Sequence, residues 1–214
     1  MTNNLLERLA DKSITKEELK DKIKDNFDIL PEILNGVSSD KASIRYGCGK
    51  ILMDLSEENP EKLYPHIDFF ITLLDSKHRI LTWQAMAVIA NLTRVDTKNR
   101  FEEIFDKYYS FLNDEYMVTV ANVVGNSSKI ALAKPRLTQK ITNELLKVDK
   151  IKTTPHLTSE CRKVIAQKAI GSFDKFFNQI ENKDEVISFV KKQVNSTRKN
   201  LKTDAEKFLQ KWSS

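Results

Sequence analysis

Three histidines, two cysteines and a cluster of acids are the side chains here with the means to bind a metal, attack a substrate or move a proton. His66, His78 and His156 stand apart from any Cys, Asp or Glu at metal-ligand spacing, and neither H-E-x-x-H nor C-x-x-C occurs. His66 falls at a helix start and is expected at the surface. Cys161 has no activating neighbour beyond the adjacent Arg162. Glu102, Glu103 and Asp106 lie on one helical segment, where paired carboxylates are ordinarily solvated. There is no Walker A motif, no G-x-G-x-x-G and no G-x-S-x-G. Five glycines in 214 residues leave no loop built for close backbone approach to a phosphate. Without a convergent acid, base and nucleophile, the expectation is a non-enzyme with no catalytic, cofactor-binding or metal-binding residue and no cofactor.

Charge offers a different kind of chemistry. The net charge is +5, but residues 129–214 carry +10 and residues 1–128 carry −5. Such asymmetry can steer an anionic partner. Arg162, Lys163, Lys168, Arg198, Lys199 and Lys202 are the candidates for phosphate contacts. They would give sequence-independent, salt-sensitive nucleic-acid binding. They are mixed with acids and not interleaved with aromatics, which gives base stacking little support. The competing reading is a Lys-rich solvated surface.

The elements that would position these groups emerge when the chain is slid along itself. "ILMDLS" (51–56) shifted by 37 falls on "VIANLT" (88–93), and a further 35 gives "VVGNSS" (123–128). Another 46 gives "AIGSFD" (169–174), and 39 more gives "FLQKWS" (208–213). Each has an apolar pair followed by a polar residue. Four positions before the second member of the pair stands Cys48, Ala85, Val120, Ala166 or Ala205, on the same helical stripe. Cys48 therefore reads as a small buried core residue. Each such helix follows another amphipathic segment: "DILPEILNGV", "PEKLYPHIDFFITLLDS", "NRFEEIFDKYYSFLND", "PRLTQKITNELLKV" and "KDEVISFVKKQV". Pro60 and Pro135 suit helix starts, and Pro65 should kink or split its helix. Gly36 suits a left-handed helix end, with Ser38, Ser39 and Asp40 accepting from the next helix's free N–H groups. Asp75-Ser76 and Asn113-Asp114 read the same way. Thr15 and Glu18 form a capping-box pattern near the N-terminus. "VDKIKTTPHLT" (148–158) reads as the longest loop.

Five helical hairpins at a period of about 35–46 residues resemble the HEAT and armadillo class of α-solenoid repeats. "NPEKLYPHIDFFITLLDSKHRILTWQAMAVIANLT" looks like one complete HEAT repeat, while the third repeat departs from the pattern at Asn122 and Ser127. The resemblance implies an all-α, right-handed α-α superhelix of about five hairpin repeats in a single domain, residues 1–214. Residues 27–213 would form the repeats, and residues 1–26 an N-terminal helical cap that covers the apolar end of the stack.

A solenoid of this class implies a partner protein or peptide on the face formed by the second helices. The polar residues after the apolar pairs, Asp54, Asn91, Asn126, Ser172 and Lys211, recur once per repeat. In armadillo proteins a similar asparagine ladder holds the backbone of an extended peptide. The regular tryptophans of such grooves are missing here. Two readings stand for these residues: they face a partner, or they tie neighbouring helices together. Tyr46, Met53, Trp83 and Met86 are the candidates for an adhesive surface on the same helices, with inter-repeat core as the alternative. The HEAT-like alkylpurine DNA glycosylases share this size and fold, but their Trp-Trp-Asp cluster is absent. Trp83 and Trp212 are the only tryptophans, and neither adjoins an acid in sequence. The reading is therefore a non-catalytic protein-binding scaffold, with nucleic-acid binding through the basic C-terminal half as the alternative. No apolar run approaches the roughly 20 residues that span a bilayer, and the N-terminus lacks the features of a signal peptide. Two distant cysteines fit a reduced, cytoplasmic compartment, and a monomer is expected.

Overall fold

A computed structural model describes residues 5–212. The chain divides into two compact units, Met1–Lys98 and Asn99–Ser214. Helices account for the regular structure of both.

The first unit opens with α1 (Leu5–Ala10) and α2 (Lys16–Asp25), both packed on α4 (Ala42–Glu58). These are the expected cap. Leu9, Leu19 and Ile23 are buried, which is how a short polar segment covers an apolar helix end. The capping box forms as read: the Thr15 side chain accepts from the Glu18 N–H, and Glu18 accepts from the Thr15 N–H. Helix α3 (Leu30–Gly36) pairs with α4. The next hairpin joins α5 (Pro60–Leu63) and α6 (Ile67–Leu73) to α7 (Arg79–Leu92). A 3-10 turn at Tyr64–His66 separates α5 from α6, so Pro65 splits the helix as its missing N–H requires.

The second unit repeats the plan three times. Helices α8 (Arg100–Glu103) and α9 (Phe105–Ser110) precede α10 (Met117–Ala133). Then α11 (Thr138–Leu146) precedes α12 (Ser159–Phe176), and α13 (Lys183–Gln193) precedes α14 (Lys199–Trp212). Within this unit α10 packs on α12 and α12 on α14. The break at Ile104 between α8 and α9 has no proline or glycine behind it, and nothing in the structure explains it. The long connection before α12 is a 3-10 turn followed by an irregular stretch. It is pinned by Thr154 Oγ1 donating to the Glu115 carbonyl, 2.7 Å, and by His156 stacked on Tyr116 at 4.3 Å.

Two turn assignments change. Gly36 is not left-handed, since no glycine has positive φ. It lies at the end of α3 where a Cβ would stand 2.5 Å from Cys48 Sγ and 3.1 Å from Leu6 Cδ2. Close packing, not backbone conformation, demands glycine there. The turn hydroxyls and carboxylates also act one step earlier than expected. Ser39, Ser76 and Asp114 accept from the N–H of Lys41, His78 and Tyr116, the residues that cap α4, α7 and α10. Ser196 does the same for Arg198. Each shapes the chain before the helix, and α4, α7 and α10 are left without a side-chain cap on the first turn.

Glu58 at the end of α4 accepts from Lys20 at 2.6 Å and Lys24 at 2.7 Å, tying the cap helix α2 to the first repeat. These two hydrogen bonds bring its carboxyl pKa down to about 2. A carboxylate with a depressed folded pKa adds stability above its ordinary value of 4.5, lost as pH falls toward 2. Glu58→Gln should therefore give a shallower loss of stability than the parent when urea unfolding is compared at pH 5 and pH 2.5. Its solvent exposure keeps the difference below about 1 kcal/mol.

Candidate functional site

The ladder residues separate into two groups. Asn91, on α7, is only 3% exposed, and its Nδ2 donates to Ser56 Oγ on α4 at 2.9 Å. Ser56 in turn donates to the Met53 carbonyl at 2.6 Å. Arg94 closes the same junction, donating to the carbonyls of Asn91 and Glu57. In the second unit Asn126, on α10, shares a hydrogen bond with the Tyr108 hydroxyl on α9. Ser172, on α12, is buried and donates to the Val124 carbonyl on α10 at 2.7 Å. Asn91 and Ser172 are thus buried between helices of their own units. Their polar groups are spent between helices, because a buried amide or hydroxyl must be satisfied where it lies. Asp54 differs: it is half-buried on α4 and pairs with Lys50 one turn earlier. Lys211, the fifth position, pairs with Asp174 at 2.9 Å. Asp174 also accepts from Trp212 Nε1 at 2.7 Å, so an acid does adjoin a tryptophan in space, through a contact between α12 and α14.

The adhesive candidates also separate. Met86 is fully buried and belongs to the core of the first unit. Tyr46, Met53 and Trp83 are half-buried on α4 and α7. Tyr46 holds the two helices in register through its carbonyl, which accepts from Gln84 Nε2 at 3.2 Å. Its ring lies under the Arg45 guanidinium at 4.7 Å and meets the edge of His78 at 6.1 Å. Ile80, three residues before Trp83 and so on the same side of α7, is 39% exposed. Tyr46 and Met53 on α4 and Ile80 and Trp83 on α7 therefore present apolar surface on two packed second helices.

A feature the sequence did not signal adjoins them. A cavity of about 790 Å³ lies between the cap and α4. Leu9, Ile14, Tyr46 and Gly47 line it, together with Lys12, Lys16 and Lys50. Tyr46 is the one sequence-predicted site residue in its wall. The others come from segments about 30 residues apart, and only folding brings them together.

The basic candidates are largely committed within the second unit. Lys163 and Arg198 both pair with Glu160, at 2.9 and 3.2 Å, and hold its carboxyl below the usual range. Arg162 donates to the Asp149 carbonyl at 2.8 Å. Lys202 lies 3.9 Å from Glu206. Lys168 and Lys199 are exposed. Arg162, Lys163, Arg198 and Lys202 are thus engaged within the unit, while Lys168 and Lys199 make no ion pair among the described residues.

The groups with catalytic chemistry are likewise engaged. Glu102 pairs with Lys134 and Arg136, Glu103 with Arg100, and Asp106 with Lys140. Burial pushes the Cys48 thiol up to about 12, which keeps it protonated and unreactive. Among the described residues no group of three His, Cys, Asp or Glu side chains is placed to hold a metal ion, and no helix is long and apolar enough to cross a membrane.

No protein-family model matches the sequence, and no curated protein matches it. Among solved structures, a designed armadillo repeat protein, YIII(Dq)4CqI, matches with a TM-score of 0.63. The match covers 97% of this chain and 90% of that one, at 17% identity. The fold is that of an armadillo-like α-solenoid. An engineered structural-genomics target also matches, with a TM-score of 0.49 at 14% identity, over 96% of this chain and 86% of that one. In this solenoid the second helices of the repeats are α4, α7, α10, α12 and α14. At such identity the likeness carries the fold, and residue roles rest on the contacts above.

Proposed function

We propose that this solenoid is a non-catalytic scaffold that binds a protein or peptide, acting as a monomer. In the first unit the partner lies against α4 and α7, contacting Tyr46, Met53, Asp54, Ile80 and Trp83. One observation carries the reading: Asn91 closes inward onto Ser56, while Ile80 is exposed and Trp83 only half-buried on the same helix. Exposing aromatic and aliphatic side chains on a rigid helical pair costs solubility and serves recognition. Asn126, half-buried, would contribute from α10 in the second unit. The pairing of Lys163 and Arg198 with Glu160 gives a nucleic acid fewer free cations than the sequence suggests.

The test is selection from a random octapeptide display library on the purified protein. Selected peptides should bind Trp83→Ala/Ile80→Ser at least tenfold more weakly than the parent. Peptides that bind both proteins equally, or a library that yields no binder, would contradict the assignment.

A further inference from the structure

We propose that the cavity between the cap and the first repeat takes an acidic segment of a partner protein, seating an apolar side chain inside and carboxylates on Lys12, Lys16 and Lys50. The proposal rests on the scaffold reading and adds the chemistry of its ligand. At about 790 Å³ the cavity has the size of a ligand site, with apolar lining and a few polar groups. Leu9, Ile14 and Tyr46 supply the lining.

The charge is one-sided. Three lysines and one carboxylate, Glu17, belong to the wall. Lys50 shares Asp54, but Lys12 and Lys16 make no ion pair among the described residues. Elsewhere in the same unit Lys20 and Lys24 find Glu58 and Lys41 finds Glu7, while Lys22 and Lys77, like Lys12 and Lys16, make no ion pair among the described residues; what sets Lys12 and Lys16 apart is their place beside the cavity. Two cations left unmatched beside an apolar hollow complement an anionic ligand.

Other polar groups in the wall favour a peptide. Ala42 and Ser43 form the first turn of α4, which has neither a side-chain cap nor an acid of its own. Such a turn keeps unpaired N–H groups and the positive end of a 17-residue helix. Gln84 is also in the wall, where its Nε2 serves the Tyr46 carbonyl while its Oε1 is packed against Gly49 on α4. Lys12 itself is held at φ 65° in the turn after α1, a left-handed conformation that a lysine rarely adopts. The cap turn therefore sets the backbone from which this exposed cation projects beside the cavity.

The octapeptide library again supplies the probe, with Lys12→Glu/Lys16→Glu and Ser43→Trp as variants. All three residues are exposed, so thermal melts should stay close to that of the parent. On the parent, selected sequences should combine Asp or Glu with Leu, Ile or Phe. Their binding should fall at least tenfold on the charge-reversed protein, and on Ser43→Trp, whose indole would fill the cavity. Replacing Glu by Gln in a selected peptide should weaken it comparably. The proposal is overturned if selected peptides are not acidic, or if they bind the charge-reversed protein as well as the parent. Peptides that respond to Trp83→Ala/Ile80→Ser alone would leave the scaffold reading standing and remove this one. A library that yields no binder would remove both.

Discussion

Tyr108→Ala should lower the unfolding free energy by about 3–5 kcal/mol, and Tyr108→Phe by only about 1 kcal/mol. Tyr108 is completely buried on α9, edge-on to Phe101 at 5.4 Å and beside Tyr109 at 5.6 Å. Removing the ring opens a cavity among aromatic side chains that cannot all collapse into it. Phenylalanine keeps that packing and loses the hydrogen bond to Asn126. Burial already raises the hydroxyl's pKa, so the neutral phenol is the form that Asn126 meets at any physiological pH. Urea denaturation followed by far-ultraviolet circular dichroism separates the two costs. Equal losses for both variants would mean that the hydroxyl, not the ring, holds α9 to α10.

Gly36→Ala is the second substitution with a large expected effect, and its sign opposes helix propensity. Alanine is the better helix former by roughly 1 kcal/mol. Here its methyl group would meet Cys48 Sγ at 2.5 Å, and Cys48 is fully buried, which leaves its sulfur little room to rotate away. Overpacking of this kind typically costs about 1–3 kcal/mol. The expected result is a less stable protein despite the gain in propensity. Cys48→Ala removes the obstructing sulfur, so the double variant Gly36→Ala/Cys48→Ala should recover most of the loss introduced by the first change. Additive losses in the double variant would show that Gly36 serves some purpose other than clearance.

The helical pairs were legible in sequence because apolar spacing and proline placement are local. Pro65 splits its helix, and Thr15 with Glu18 caps α2, through contacts within a few residues. The sequence does not show what Gly36 serves, because a glycine near a helix end looks the same whether it bends backward or admits a neighbour. The neighbour, Cys48, lies 12 residues further along the chain. The ladder was legible as a period and not as a direction. Asn91 and Trp83 are both on α7, and one helical step of rotation decides which meets Ser56 and which meets solvent. The cavity beside Tyr46 is not legible in the sequence for a similar reason. Lys12 and Lys16 are two lysines among many until folding lays the cap against α4 and leaves them without carboxylates.

That Asn91 works inside the first unit, tying α7 to Ser56 on α4, is tested most directly on that pair. Unfolding free energies of Ser56→Ala, Asn91→Ala and the double variant complete a thermodynamic cycle. Asn91→Ala should cost about 1–3 kcal/mol, since it deletes a buried amide and leaves Ser56 Oγ without its donor. The pair should couple by about 1 kcal/mol. A neutral Asn91→Ala, or single losses that simply add, would return Asn91 to the surface and contradict the account.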